Sequence, residues 1–208
     1  MKKLLTFLLF TSFVTVCCSF TFSNKSEIIS NFKLKSATTN TWVSLSDFKE
    51  AKGFIIVFTC NKCPMAKFYS QRLNQMDAKY KKLGVPVLAV NSMDTLAYAE
   101  ESFKLMQKKV KKEKLTFPYL QDKKQNIAKE FQATHTPQAF VIWKNQSGKY
   151  IIKYQGAIDD NAGEPEKAKN HYLTEAVDEL LQNKQVALPK TESFGCRIFF
   201  RGQPQTMN

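Results

Sequence analysis

The sequence predicts an α/β fold: a mixed central sheet with helices on both faces. Three observations carry that expectation. Two apolar runs, Phe54–Phe58 and Val85–Val90, lack polar alternation, as strands buried on both faces do. Each is followed by a stretch with helical spacing of apolar residues. Two further strand-like runs, Gln138–Trp143 and Tyr150–Gln155, flank a turn at Asn145–Gly148 and read as an antiparallel hairpin, with a last helix behind them. Strand and helix alternating, then a hairpin, then a helix, give a sheet of mixed direction.

Taken in order, Ile28–Leu45 reads as short strands with polar turns, one at Asn40-Thr41, and Ser46–Lys49 as a helical turn. Pro64 belongs in a first helical turn, where its missing N–H does no harm. Tyr69, Leu73, Met76, Tyr80 and Leu83 form one apolar stripe, and Gly84 ends that helix. Asp94 is a candidate cap for a helix with the stripe Ala99, Phe103, Met106 and Val110. Phe117–Leu120 is a short extended piece, and Asp122–Phe131 is a further helix. The last helix carries Leu173, Val177, Leu180 and Leu181. Met93, Met106 and the aromatic residues are assigned to the core, and His171 to the surface.

The chain has 208 residues, 43% of them hydrophobic, enough for one domain with a substantial core. The formal charge is +13, spread along helices and loops rather than gathered in an arm. No nucleic-acid motif accompanies it, so nucleic acid is not an expected partner. Met1-Lys2-Lys3 followed by apolar Leu4–Val16 has the form of an export signal, too short to span a membrane comfortably. Residues 1–23 are therefore expected to be a signal peptide. Cleavage would follow Ser23, or Cys17 or Cys18 would carry lipid and attach the protein to a membrane. Residues 24–208 are then a single domain with a C-terminal extension from about 184. The expected location is outside the cytoplasm, in the periplasm or cell envelope, where disulfides persist. Three cysteines remain after cleavage: Cys60, Cys63 and Cys196.

The chemistry concentrates at Cys60-Asn61-Lys62-Cys63-Pro64, at a strand-to-helix junction. Thiols so spaced close and reopen a small disulfide ring. At a helix start, unpaired N–H groups and the dipole favour a thiolate, and the thiolate is the nucleophile. Cys60, just ahead of the helix, is expected to be the more exposed thiol and the attacker. Cys63, beneath it, is expected to resolve. Lys62 is expected to supply nearby positive charge, and Asn61 polarity without bulk. A static staple is disfavoured, because so short a loop restrains the unfolded chain little. Zinc needs about four ligands, and there is no second C-x-x-C. His135 and Cys196 are the residues left to complete a metal set. Otherwise His135 is a loop histidine or a proton acceptor, and Cys196 an inert thiol, a third redox thiol or an intermolecular partner. Pro137, opening a strand after Thr136, is either an edge device or a cis proline facing the cysteines.

These motifs resemble the thioredoxin-like superfamily. Within it the chain is similar to the redoxin or alkyl-hydroperoxide-reductase/thiol-specific-antioxidant group of exported bacterial proteins, over roughly Phe32 to Leu181. The resemblance rests on Phe58-Thr59-Cys60-Asn61-Lys62-Cys63-Pro64, Val90-Asn91-Ser92, Phe117–Asp122, Thr136-Pro137-Gln138-Ala139-Phe140 and Tyr154–Asp160. Phe194-Gly195-Cys196 resembles the C-terminal Gly-Cys of one subgroup. The resemblance implies Cys60 as nucleophile, Cys63 as resolving thiol, Pro137 as the cis proline beside a substrate-binding Thr136, and a redoxin-type strand–helix insertion before it. It implies no cofactor. The implied activity is a thiol–disulfide oxidoreductase working on disulfide- or dithiol-bearing exported proteins with an upstream electron donor. A peroxidatic P-x-x-x-T-x-x-C is absent, since Thr59 directly precedes Cys60. The alternative is a copper- or zinc-binding metallochaperone-like module using Cys60, Cys63 and His135. Copper-delivering relatives, however, space their cysteines one residue further apart.

Overall fold

The computed structural model describes residues 28–202. The export signal proposed for residues 1–23 lies outside them. Among the described residues, no helix is long and apolar enough to cross a membrane.

Ten strands form: β1 (Ile28–Ile29), β2 (Lys33–Ser36), β3 (Trp42–Ser44), β4 (Gly53–Phe58), β5 (Val87–Asn91), β6 (Tyr119–Gln121), β7 (His135–Thr136), β8 (Gln138–Lys144), β9 (Tyr150–Gly156) and β10 (Cys196–Arg197). The α-helices are α1 (Pro64–Phe68), α2 (Ser70–Tyr80), α3 (Phe103–Glu113), α4 (Asn126–Glu130) and α5 (Tyr172–Leu181). Eight strands make one sheet in the order β1-β9-β8-β4-β5-β6-β2-β3, and β10 pairs with β7 beside it. β4, β5 and β6 run parallel, while β8 lies antiparallel to β4 on the other side. The sheet is therefore mixed, as expected. The inserted unit before the Thr136-Pro137 pair contributes α3 and β6.

Strand alternation divides the core in two. Phe54, Ile56 and Phe58 join Leu88, Val90, Phe131 and Phe140 on one face, under α4. Ile55 and Val57 join Leu73, Tyr80, Met106, Leu173 and Val177 on the other, under α2, α3 and α5. β4 and β5 are buried at every position, which is why neither shows polar alternation.

Three helix boundaries differ from expectation. The stripe beginning at Tyr69 is broken: α1 ends at Phe68, α2 begins at Ser70, and a 3-10 turn at Lys81–Leu83 closes at left-handed Gly84. Leu83, on that closing turn, is exposed. Asp94 does not cap α3. Its carboxylate accepts from Leu96 N–H and pairs with Arg201, and Ser102 stands at the N-cap instead. α4 is shorter than its apolar pattern because Asp122, buried ahead of it, accepts from Ile127 and Ala128 N–H and from the Ser92 hydroxyl.

The tail is part of the fold rather than an appendage. Thr191 N–H donates to Gln155 O, and the Thr191 hydroxyl meets Tyr154 and accepts from Ala157 N–H. Ile198 N–H donates to Thr134 O, and its side chain is buried in the first core. Arg201 closes the path on Asp94 and Gln125.

Candidate active site

Cys60 and Cys63 sit where β4 runs out into α1. Thr59 N–H still pairs with Val90 O at 2.9 Å, so the chain leaves the sheet only after Thr59. Cys63 is the N-cap of α1, and Pro64 takes the first helical position. Both cysteines are free thiols, hydrogen-bonded to each other. Cys63 N–H donates to Cys60 Sγ at 3.3 Å.

The peptide between Thr136 and Pro137 is cis, and Thr136 faces both sulfurs. Its hydroxyl lies 3.3 Å from Cys60 Sγ, and its carbonyl oxygen lies 3.2 Å from Cys63 Sγ. Pro137 is buried beside them and lines a groove of about 370 Å³ with Met65, Tyr69, Ile158, Asp159 and Phe194.

Cys196 joins the pair. β10 lies antiparallel to β7 with Cys196 opposite Thr136, and Cys196 Sγ stands 2.6 Å from Cys63 Sγ. Gly195 permits this approach: a Cβ there would stand 2.2 Å from Thr136 O, at a φ of +145° that side chains disfavour.

The expected exposure of Cys60 is not found: Cys60 is 2% exposed and Cys63 4%. The turn and the overlying tail enclose both. The free helix N–H groups are not found either. Glu101, itself buried, accepts from Asn61 N–H at 2.7 Å, Lys62 N–H at 3.1 Å and the Asn91 amide at 2.8 Å. Sequence reading missed Glu101 because it lies forty positions away on a 3-10 turn with no motif of its own. Asn61 is structural: its amide donates to Glu100 O and accepts from the Tyr119 hydroxyl. Lys62 points to solvent and pairs with Glu100 rather than with a thiol.

These contacts set the thiols' acidities. The S–H shared with Cys63, burial and the Glu101 charge push the Cys60 thiol up. The Cys60 S–H holds Cys63 down to about 4, with help from Cys196 and the Ala66 N–H, against burial. Cys196 is pushed up to about 11 by burial and by its bond to Cys63. The resting dithiol thus carries its charge on Cys63. Moving one proton from Cys60 to Cys63 places the thiolate on Cys60, where Cys63 N–H and the Thr136 hydroxyl already point. Cys63 S–H can then donate to Thr136 O.

His135 is not brought into this set. It neighbours Thr136 on a strand, so its side chain turns to the opposite side, where Nδ1 meets Thr134 Oγ1 at 2.9 Å. Burial and the Arg197 charge hold its pKa below the usual value. Among the described residues, no group of three or more His, Cys, Asp or Glu is arranged to hold a metal. The expected Cys60–Cys63–His135 metal set is therefore not assembled.

The AhpC/TSA family matches residues 26–159, and the chain belongs to that family. It is a redoxin-type protein of thioredoxin-like fold, in the general class of oxidoreductases. Two solved structures, a hypothetical protein from Sinorhizobium meliloti and an uncharacterized conserved protein from Geobacillus kaustophilus, are each 28% identical with TM-scores of 0.76. Each covers 86% of this chain, and the match spans 95% and 93% of theirs. A protein from Neisseria meningitidis provisionally named a thioredoxin shares the fold at 20% identity and a TM-score of 0.55, covering 76% of this chain and 91% of its own. No curated protein matches.

Proposed function

We propose that this protein is an extracytoplasmic thiol–disulfide oxidoreductase that works through a reversible Cys60–Cys63 disulfide. The observation that carries the reading is the meeting of two free thiols at the β4–α1 junction with both oxygens of Thr136. In the reducing direction, Cys60 thiolate attacks a partner disulfide and releases one partner thiolate. Cys63 then attacks the mixed disulfide at Cys60, the second partner thiolate leaves, and the Cys60–Cys63 bond remains. The reverse sequence oxidises a partner dithiol.

The buried edge at Thr136 and the adjoining apolar groove suit an extended peptide rather than a small hydroperoxide. The partners in this reading are exported proteins bearing disulfides or dithiols, with a separate donor restoring the pair. The basic leader, with its short apolar stretch, supports export.

The test is the reduction potential of the pair in glutathione buffers, read by mass-resolved alkylation. A reversible two-electron couple near about −270 mV indicates a reductant, and one near about −120 mV a disulfide donor. Cys63→Ala should trap a partner on Cys60. Absence of both a reversible couple and a trapped partner would overturn the reading.

A further inference from the structure

Three sulfurs meet at this site, and a two-cysteine exchange uses only two. The third arrives in an ordered way. β10 occupies the backbone edge of β7, Cys196 stands in register with Thr136, and Thr136 Oγ1 also reaches Cys196 O at 3.4 Å. Gly195 is the residue that lets the strand lie this close. Ile198 and Arg201 fasten the strand beyond the cysteine. A disulfide needs S–S near 2.05 Å, so sulfurs 2.6 Å apart are within a small movement of bonding. The three also differ in access: Cys60 and Cys63 are buried, and Cys196 is exposed.

Resting on the exchange proposed above, we infer that Cys196 is a third redox thiol, which takes over the disulfide from the turn by attacking Cys63. The step is an isomerisation. Cys196 gives its proton to water, and its thiolate attacks Cys63 Sγ in the Cys60–Cys63 disulfide. The Cys63–Cys196 bond forms and the Cys60–Cys63 bond breaks. Cys60 leaves as a thiolate and takes a proton from water. One disulfide is lost and one gained, so no outside oxidant or reductant enters. The step moves the disulfide from a buried pair to one with an exposed sulfur, which an electron donor can reach, and leaves Cys60 free. In the oxidised turn, Cys63 carries no charge, so the repulsion that opposes Cys196 ionisation in the dithiol is gone.

The test is a disulfide map of the full chain. The protein is oxidised with glutathione disulfide, quenched in acid, alkylated and digested. Cleavage after Lys62 puts Cys60 and Cys63 on separate peptides. Wild type should yield both Cys60–Cys63 and Cys63–Cys196 linkages, and Cys60→Ser should yield Cys63–Cys196 within one chain. Gly195→Ala should retain the first linkage and lose most of the second. The inference is overturned if wild type gives only Cys60–Cys63 while folded Cys60→Ser leaves Cys63 and Cys196 both open to alkylation. If Cys60→Ser does not fold, the wild-type map decides by the presence or absence of the Cys63–Cys196 peptide. Failure of the parent reading looks different: the Cys60–Cys63 linkage itself would be missing from wild type.

Discussion

The two segments that meet at the sulfurs, the cysteine turn at 60–63 and the tail at 191–201, are held in opposite ways. The turn is fixed from beneath by a buried polar network. Glu101 takes the N–H groups of Asn61 and Lys62, while Asn91 and Tyr119 complete the set. The tail is fixed from its ends, by Thr191 on β9 and by Ile198 and Arg201 near α4, with two residues paired to β7 between them. A turn anchored in the core keeps its sulfurs in place whatever the partner does. A strand clipped at separate points can lift and return. That difference suits a site in which Cys60 and Cys63 are permanent and Cys196 takes turns with a partner.

The largest effect belongs to the turn. Glu101→Ala leaves three buried donors without their acceptor, and partial refilling by water still leaves a loss of about 3 kcal/mol in unfolding free energy. Urea denaturation measures it, and an unchanged midpoint would mean that the turn does not depend on this carboxylate. Ile198→Ala empties a buried site on the tail and should cost about 2 kcal/mol. Its signature is different: alkylation of Cys196 should speed up under native conditions, ahead of global unfolding. Equal acceleration at Cys60, Cys63 and Cys196 would instead show that tail and turn open as one unit. Thr136→Val removes a hydroxyl that favours the Cys60 thiolate. Alkylation of Cys60 near neutral pH should slow about fivefold, the worth of a hydrogen bond of about 1 kcal/mol. The cis-proline edge and both cores remain, so this variant probes charge without breaking either segment.

The same contrast governs what the sequence discloses. The turn is local. A fully apolar strand, two cysteines and a helix-starting proline lie within eleven residues, so their order alone places the thiols at a sheet edge. The mixed sheet is legible for the same reason, since β4, β5, β8 and β9 each carry a recognisable run. The environment of the thiols is not local. Their burial comes from a tail more than a hundred residues away, and Glu101 comes from a 3-10 turn without periodicity. Spacing therefore suggested an exposed Cys60 with free N–H groups, and the structure encloses it and spends those groups on a carboxylate. Lys62 misled because proximity in sequence says nothing of direction: two residues after Cys60 it points outward, to Glu100. His135 misled by the same logic, one residue from Thr136 but on the opposite side of the strand. For Cys196 the sequence offered only a Gly-Cys pair, and what gives the glycine its meaning is the backbone of Thr136 lying against it.

The smallest effect sharpens the comparison most, because it acts on the tail alone and can be switched by acid. Arg201 reaches the Asp94 carboxylate through both Nε and Nη2, and this contact, reinforced by Leu96 N–H, holds the Asp94 pKa below the usual carboxylate value. A carboxyl whose folded pKa is depressed stabilises the folded form above its unfolded pKa, about 3.9, and that contribution fades as pH falls through the lower folded value. At neutral pH, Arg201→Ala should therefore modestly raise the rate at which Cys196 exchanges its partner Cys63 for solvent. Below a pH of about 4 the wild-type tail loses the same clip, and the two proteins should converge. The readout is amide hydrogen exchange at Ile198, whose N–H donates to Thr134 O, followed from neutral pH down to acid. Convergence on acidification assigns the clip to Asp94. A difference between the two proteins that persists undiminished at low pH would move Arg201's contribution to its other contact, the backbone N–H that donates to Gln125, which acid does not touch.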